Sequence, residues 1–570
     1  MLYVKRILVL ALALLLLCAC LAESDGFSAP YTYNYDYWED VRESPDAYEV
    51  KRVLYSATLG LENSPIRRPQ SLFVKGDTLY VCDTGNNRIL VLNDIYGDVQ
   101  VEIIDSFTMD KAFVDPDYRA VVENRISLEK QEKAEEAAIL AAGGEIEEEP
   151  VYLDEQGNVI EIEDEFEDVS SVDEFLSSIP LTFLTPSDIS VDDAGNLYIA
   201  DKNNFRVVVI DSQRHFLKEY TRPDDSTFDQ GANFLPNRLV TDSSGRVYAL
   251  ADNVNKGIAK FEADTTFTGF IGANKVTVGM FEYIWKYFFL TDEQRAQTES
   301  VVPTRYENIC IDPEGFIYAT NTVFSEYDLK WDNAKPIRRI NGIGDDILIK
   351  NDRYPPIGDY QWVEGTNNVD YGPSKFVDIT VLEDDIYVAF DTTRGRLFGY
   401  DSQGVMLWAF GGKGNYEGAF LNPISIEHMG RDLICLDQND NAITIFTPTE
   451  YGNLIYAANS AYIRGDYDGS ADTWREVLRF NANYNMAFRG IGRALLRQGD
   501  YREAMDYFEM AHDRPNYGRA FRLYRKDWVE KNIWWVIGAL LVLIAVYLTF
   551  RISKKIKMEV ATYERDHVAK

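Results

Sequence analysis

The chain is poor in the residues from which compact catalytic and cross-linked sites are built: 570 residues hold four histidines and five cysteines, with only 57 lysines and arginines against 92 acidic side chains. Cys18 and Cys20 lie in an apolar N-terminal run, leaving Cys82, Cys310 and Cys435 in strand-like apolar settings. An odd number so placed excludes a disulfide framework and reads as buried small hydrophobes. The histidines, His215, His428, His512 and His567, are far apart, and no GxSxG, HExxH, P-loop or dinucleotide fingerprint occurs. A net charge of -35 excludes nucleic acid as a partner, because phosphates would be repelled.

Two long apolar runs are present. Lys5 and Arg6 precede an unbroken run from Ile7 to Ala22, which predicts a secretory signal over residues 1–22; Leu17-Cys18-Ala19-Cys20 leaves lipidation of Cys20 open as the alternative. The second run, Ile533 to Phe550, carries no charge and spans about 27 Å as a helix, the thickness of a bilayer core. It predicts a transmembrane helix over 532–550, with Trp534 and Trp535 at one end and Arg551, Lys554, Lys555 and Lys557 at the other. Flanking charges nearly balance, so the signal sets the direction: the bulk of the chain outside the membrane, residues 551–570 as a short cytoplasmic tail.

Between them the chain repeats. PQSLFVKGDTLYVCDTGNNRILVLN from Pro69 and PSDISVDDAGNLYIADKNNFRVVVID from Pro186 superimpose almost residue for residue. Each reads as an alternating strand, a Gly turn (Gly76, Gly195), a second strand, and Asp-x-x-Asn-x-Arg: Asp83, Asn86 and Arg88; Asp201, Asn204 and Arg206. Weaker copies start at Pro236, Tyr306, Lys375 and Pro423, six in all. These residues resemble the NHL-repeat family, and the resemblance implies a mainly β fold, a six-bladed NHL-type β-propeller over 48–450, of a bacterial membrane-anchored kind. The third, fourth and sixth copies depart, with Ala251 and Asn321 at the aspartate position and Ala442 at the arginine position. The stretch from Tyr48 to Gly60 is expected to supply the outer strand of the last blade and close the ring. The Asp, Asn and Arg of the strong copies are expected to brace turns, a structural role.

Two insertions interrupt the repeats. Residues 107–178 begin as a helix and continue through fourteen carboxylates between Glu145 and Glu174 with no lysine or arginine, a solvated stretch in which VYLDEQGNVIEI predicts a small hairpin. EF-hand spacing is absent, though calcium is not excluded. Residues 264–301 contain a predicted helix crowded with Phe281, Tyr283, Trp285, Tyr287, Phe288 and Phe289, which must bury against the propeller face, a partner or the membrane surface.

After the propeller the period changes to 34 residues, with GDY at Gly465–Tyr467 and Gly499–Tyr501. Residues 451–518 resemble tetratricopeptide repeats, a small α-helical domain in which Trp474 and Phe508 are candidate binding residues beside the five aromatics at 281–288. Two histidines in the propeller cannot build the three-His metal site of amidating-lyase propellers. No metal ligand set or cofactor is therefore assigned. The expectation is a non-catalytic, membrane-anchored extracellular scaffold binding protein partners at the outer face of the membrane, in a transport or envelope assembly. The alternative is a metal-dependent surface hydrolase of the lactonase type, which would need three or four carboxylates or amides at the funnel mouth.

Overall fold

The computed structural model describes residues 30–38, 40–142, 152–153, 159–160, 169–223, 225, 227–228, 232–272, 305–324, 328–329, 334–350, 356–359 and 372–568. The chain divides into two compact units: residues up to 34 with 41–453, and 35–40 with 454–570. The predicted signal peptide and the aromatic stretch at 281–289 lie outside the described residues.

The first unit is a six-bladed propeller. Blade 1 is Ser71–Lys75, Thr78–Asp83, Arg88–Asn93 and Gln100–Ile104, an antiparallel meander in sequence order. Blade 2 (Pro186–Val191 to Phe216–Tyr220) and blade 3 (Pro236–Thr241 to Phe267–Ile271) repeat the four-stranded order. The hairpin glycines sit at φ 59° (Gly76) and 85° (Gly195), left-handed backbone that a side chain would strain. Blade 4 (Asn308–Ile311, Ile317–Thr320, Ile337–Ile340) has three strands among the described residues.

Ring closure follows the expected route. Blade 6, from Pro423–Met429 to Ala442–Pro448, takes Tyr48–Leu54 as its outermost strand, with Thr444 opposite Val53 and Pro448 opposite Tyr48. Blade 5 (Phe376–Val381 to Met406–Gly411) was legible only in part, because Thr32–Tyr35 and Val41–Glu43 extend it to six strands. Tyr33 is fully buried there. Arg396 donates to its hydroxyl at 3.1 Å and to the Asp359 carboxylate at 2.6 Å, so the added strand is tied in by a polar cluster as well as by its ladder.

Helix α1, Pro116–Ala141, leaves blade 1 as expected of the acidic insertion. Asp115 caps it, accepting from the Asp117 amide, and proline occupies its first turn. Tyr118, Val122 and Ile126 bury its first half in the core shared by blades 1 and 2; the second half is solvated. The expected hairpin is present as Tyr152–Leu153 paired with Val159–Ile160. A short helix α2, Val172–Ser178, returns the chain to the propeller.

The helical region comprises α3 (Glu450–Ile463), α4 (Tyr467–Phe480), α5 (Asn485–Gln498), α6 (Tyr501–Met510) and the 55-residue α7 (Arg514–Val568). Small residues set the packing. A methyl group added at Gly490 would lie 2.4 Å from the Trp474 indole, and one at Gly492 2.7 Å from the Phe508 ring. Each aromatic therefore lies on bare helix backbone, as close-packed hairpins require. α7 is long and apolar enough to cross a membrane, and its apolar window is unburied.

Candidate functional site

The inner strands of the propeller converge on its axis, where an inner strand has no further neighbour to satisfy its inward backbone groups. One aligned position near the start of each repeat meets that need. Aligned at this position are Ser71, Asp188, Arg238, Asn308, Asp378 and Ser425, all polar and all at most 5 % exposed. Asp188 accepts from the Ser71 hydroxyl of blade 1 and, at 2.7 Å, from the Leu239 amide of blade 3. Asp378 accepts from Ser425 Oγ at 2.8 Å and the Ile426 amide at 2.7 Å across the blade 5–6 seam, and from its own neighbour Ile379 at 2.7 Å. Ser425 in turn accepts from the Leu72 amide of blade 1 at 3.2 Å. The result is a polar ring that stitches blade to blade.

Arg238 is the cation of this ring. It donates at 3.1 Å and 3.3 Å to the carbonyls of Asn237 and Ser187, and at 3.4 Å to the carbonyl of Gln70 on blade 1. Its Nε has no protein partner. Its charge pulls both ring aspartates toward ionisation, but burial wins: Asp188 is raised, and Asp378 is raised to about 7. One turn of the pleat further along, Glu427 is held well above the ordinary carboxyl range, first by burial and then by the like charge of Asp378. Among the described residues Thr380 Oγ1 lies 3.5 Å and His428 Nδ1 3.9 Å from its carboxyl, which also accepts from the His428 amide at 3.3 Å; burial lowers that histidine. His428 is hydrogen-bonded to Thr380 at 2.7 Å. Ser71 and Ser425 are each bonded to an aspartate and not to a histidine, so the ring holds protons and hydrogen bonds without presenting an activated nucleophile.

The repeat motif residues come together one by one as bracing groups. Asp83 is fully buried. It accepts from the Arg67 amide at 2.8 Å, from Asn86 Nδ2 at 2.9 Å and from Arg88 Nε at 2.6 Å, while Arg88 reaches Ser64 Oγ at 2.8 Å. In blade 2, Asp201 holds the Leu184 amide at 2.7 Å, Asn204 at 2.8 Å and Arg206 at 3.1 Å, and Arg206 extends to Glu219 at 3.0 Å. Asp391 and Asp437 do the same in blades 5 and 6, Asp391 accepting from the Lys375 and Thr393 amides and the Ser374 hydroxyl and Asp437 from the amides of Asn422 and Asn439. Where blade 3 has Ala251, the next residue, Asp252, pairs instead with Lys202 of blade 2.

Among the described residues one group of three carboxylates, Asp312, Glu314 and Asp385, has oxygens close enough together to hold a metal ion. Arg339 already lies among them, at 2.5 Å, 3.4 Å and 3.4 Å, so the positive charge is built in. The ring carboxylates form no such group among the described residues.

The candidate binding aromatics separate into two sets. Phe281, Tyr283, Trp285, Tyr287 and Phe288 lie outside the described residues. Trp474 (2 % exposed) and Phe508 (fully buried) are a correction: the glycines of α5 receive them, and they pack the hairpins rather than face a partner. The axial ring was missed in sequence. Its signal was there, a polar residue at one aligned position of otherwise apolar strands in PQS, PSD, PNR, YEN, FVD and PIS.

Comparison with known proteins adds to the fold alone. The NHL-repeat family profile matches residues 183–210, the core of blade 2. No curated protein matches the chain. Similar solved structures include the virginiamycin B lyase of Staphylococcus aureus, at 10 % identity over 70 % of this chain and 100 % of that one, TM-score 0.35. A structural genomics protein of unknown function from Bacteroides thetaiotaomicron shares 10 % identity over 71 % of this chain and 73 % of its own, TM-score 0.34. At these values the likeness carries nothing about chemistry.

Proposed function

We propose that the chain is a non-catalytic binding scaffold, anchored by the apolar part of α7 with its propeller and helical hairpins on the outer side of the membrane, where protein partners engage it. The observation that supports this best is the axial ring. Every carboxylate oxygen of Asp188 and Asp378 accepts a hydrogen bond from the protein, so the part of a propeller most suited to hold a substrate or metal is committed to joining blades. The 34-residue helical hairpins are read as tetratricopeptide-like repeats, and α7 continues from them as a stalk. The direction across the membrane rests on the N-terminal charged and apolar run.

Cross-linking of the intact protein in its native membrane, followed by mass spectrometry, tests the reading. Reproducible capture of one membrane complex through residues 264–301 or 451–531 is the expected result; the absence of any specific adduct would sink it. A hydrolase of the lactonase type is the second reading, favoured by Glu427 near the axis, whose carboxyl is raised well above its ordinary range, first by burial and then by the charge of Asp378. Lactone hydrolysis by the purified outer portion, abolished in Glu427→Gln, would promote that reading over the first.

A further inference from the structure

We infer that blade 3 carries a binding pocket for a small aliphatic α-amino acid, at the place where the strong repeats keep their ion pair. In blades 1 and 2 three polar side chains fill that place, Asp83, Asn86 and Arg88 in one and Asp201, Asn204 and Arg206 in the other, each set closed on itself by hydrogen bonds. Strand register identifies their counterparts. Pro236 lies opposite Ala251 as Pro186 lies opposite Asp201, so Ala251 holds the aspartate position. Ala249 lies opposite Ala259, and the same register carried two residues on sets Gly257 level with Ala251, as Arg206 is level with Asp201. Val254, three residues after Ala251, stands for the asparagine. Carboxylate, amide and guanidinium are all absent from this blade's brace.

The space they would occupy stays open. A pocket of about 320 Å³, its mouth included, is lined by Ala251, Val254 and Gly257 themselves. Leu250 and Tyr306, both buried, complete its apolar wall, and the Tyr306 hydroxyl is already committed to the Gly272 carbonyl. Such a volume is at the small end of ligand pockets and admits only a few heavy atoms.

Charge selects the occupant. The pocket's polar side chains are Asn237, Asp252, Arg305 and Glu307. Asp252 is paired with Lys202 of blade 2, so its charge is met. Arg305 is exposed, and neither its guanidinium nor the Asn237 amide has a side-chain partner among the described residues. Glu307 is half-buried and accepts from the Thr322 hydroxyl at 3.1 Å, a neutral donor that leaves its charge uncompensated. One cation and one anion, not paired with each other, therefore face the same small apolar space. A simple anion would meet Glu307, a simple cation would meet Arg305, and a neutral sugar would leave both charges unanswered. A ligand with a carboxylate and an ammonium on neighbouring carbons answers both: the carboxylate takes the Arg305 fork, the ammonium takes Glu307, and a short aliphatic side chain lies against Leu250 and Val254.

The test is isothermal titration calorimetry on the full chain in detergent, with L-alanine and L-valine as probes and L-valinamide and N-acetyl-L-valine as their singly charged counterparts. Saturable binding of L-valine is expected, weakened about tenfold or more when either charge of the ligand is blocked. Arg305→Gln should weaken L-valine to the level of its amide, and Glu307→Gln to the level of its N-acetyl form. Ala251→Leu fills the pocket with both charges intact and should abolish binding. Thermal melts establish that each variant is folded, and the ligand series on the unaltered chain needs no variant. Absence of binding by both amino acids, valinamide or N-acetylvaline binding as tightly as valine, or L-valine binding unchanged in folded Ala251→Leu would each overturn the assignment.

Discussion

The propeller and the helical region solve the same problem of covering apolar surface in opposite ways. The propeller joins distant parts of the chain: Ser71 meets Asp188, Ser425 meets Leu72, and Tyr48–Leu54 completes a sheet with Ala442–Pro448. Its blades leave their inner edges to a ring of polar side chains, and blades 5 and 6 take their outer strands from the start of the chain, so it is closed on itself. The helical hairpins use neighbours in sequence, glycine under tryptophan and glycine under phenylalanine, and then pass into a helix whose apolar surface stays open. Charge divides the same way: residues 454–570 carry 19 basic and 14 acidic side chains, so the whole acidic excess of the chain lies before them. A closed acidic ring and a basic helical region offer charged partners surfaces of opposite sign.

The sharpest way to break this comparison is to open one unit and watch the other. Asp83→Ala strands the buried Arg88 and the Arg67 amide, and should cost the propeller about 3–5 kcal/mol in denaturant unfolding while leaving the helical transition in place. Trp474→Ala removes the largest side chain between α4 and α5, and should cost the helical hairpins a similar 3–5 kcal/mol with the propeller transition unmoved. If either substitution shifts both transitions equally, the two units do not unfold independently.

Acidity sharpens the contrast. Asp378 is raised from 3.8 to about 7 and Glu427 is raised well above its ordinary range, both first by burial, so between 3.8 and about 7 the folded propeller binds more protons than the unfolded chain. Its stability contribution is present in acid and is lost as pH rises through the folded value, by roughly 2–4 kcal/mol for Asp378. Calorimetry from pH 4.5 to 8 should show the propeller transition falling with pH. The helical transition, recorded in the same scans, serves as the internal reference. The smallest effect belongs to the rim: Lys51→Ala breaks an exposed pair with Asp432 and should change stability by less than about 0.5 kcal/mol.

Much of the propeller was legible because its repeats keep a strand, a glycine turn and an aspartate in step, and because Tyr48–Leu54 has no other repeat to belong to. The two extra strands of blade 5 were not, since TYNY and VRE resemble no repeat unit and are placed by Tyr33 reaching Asp359 and Arg396, more than 300 residues away. The ring residues were read as parts of single strands. Only superposing all the inner strands shows that serine, aspartate, arginine and asparagine share one position for one reason, an unpaired strand edge. Trp474 and Phe508 were misjudged as contact residues because period alone says which residues line a helix pair, and the glycines opposite them decide that the rings go inward.

The outer strand of blade 6 also orders events in time. Tyr48–Leu54 is synthesised before any blade, yet its partner, Ala442–Pro448, is synthesised after all the others. Until then this early strand has no sheet to join, and the loop it must close spans nearly the whole ring. The propeller therefore becomes a ring in a single late step, just as the first helix after it, beginning at Glu450, is being made. A chain halted before Pro448 would hold five finished blades and no circle.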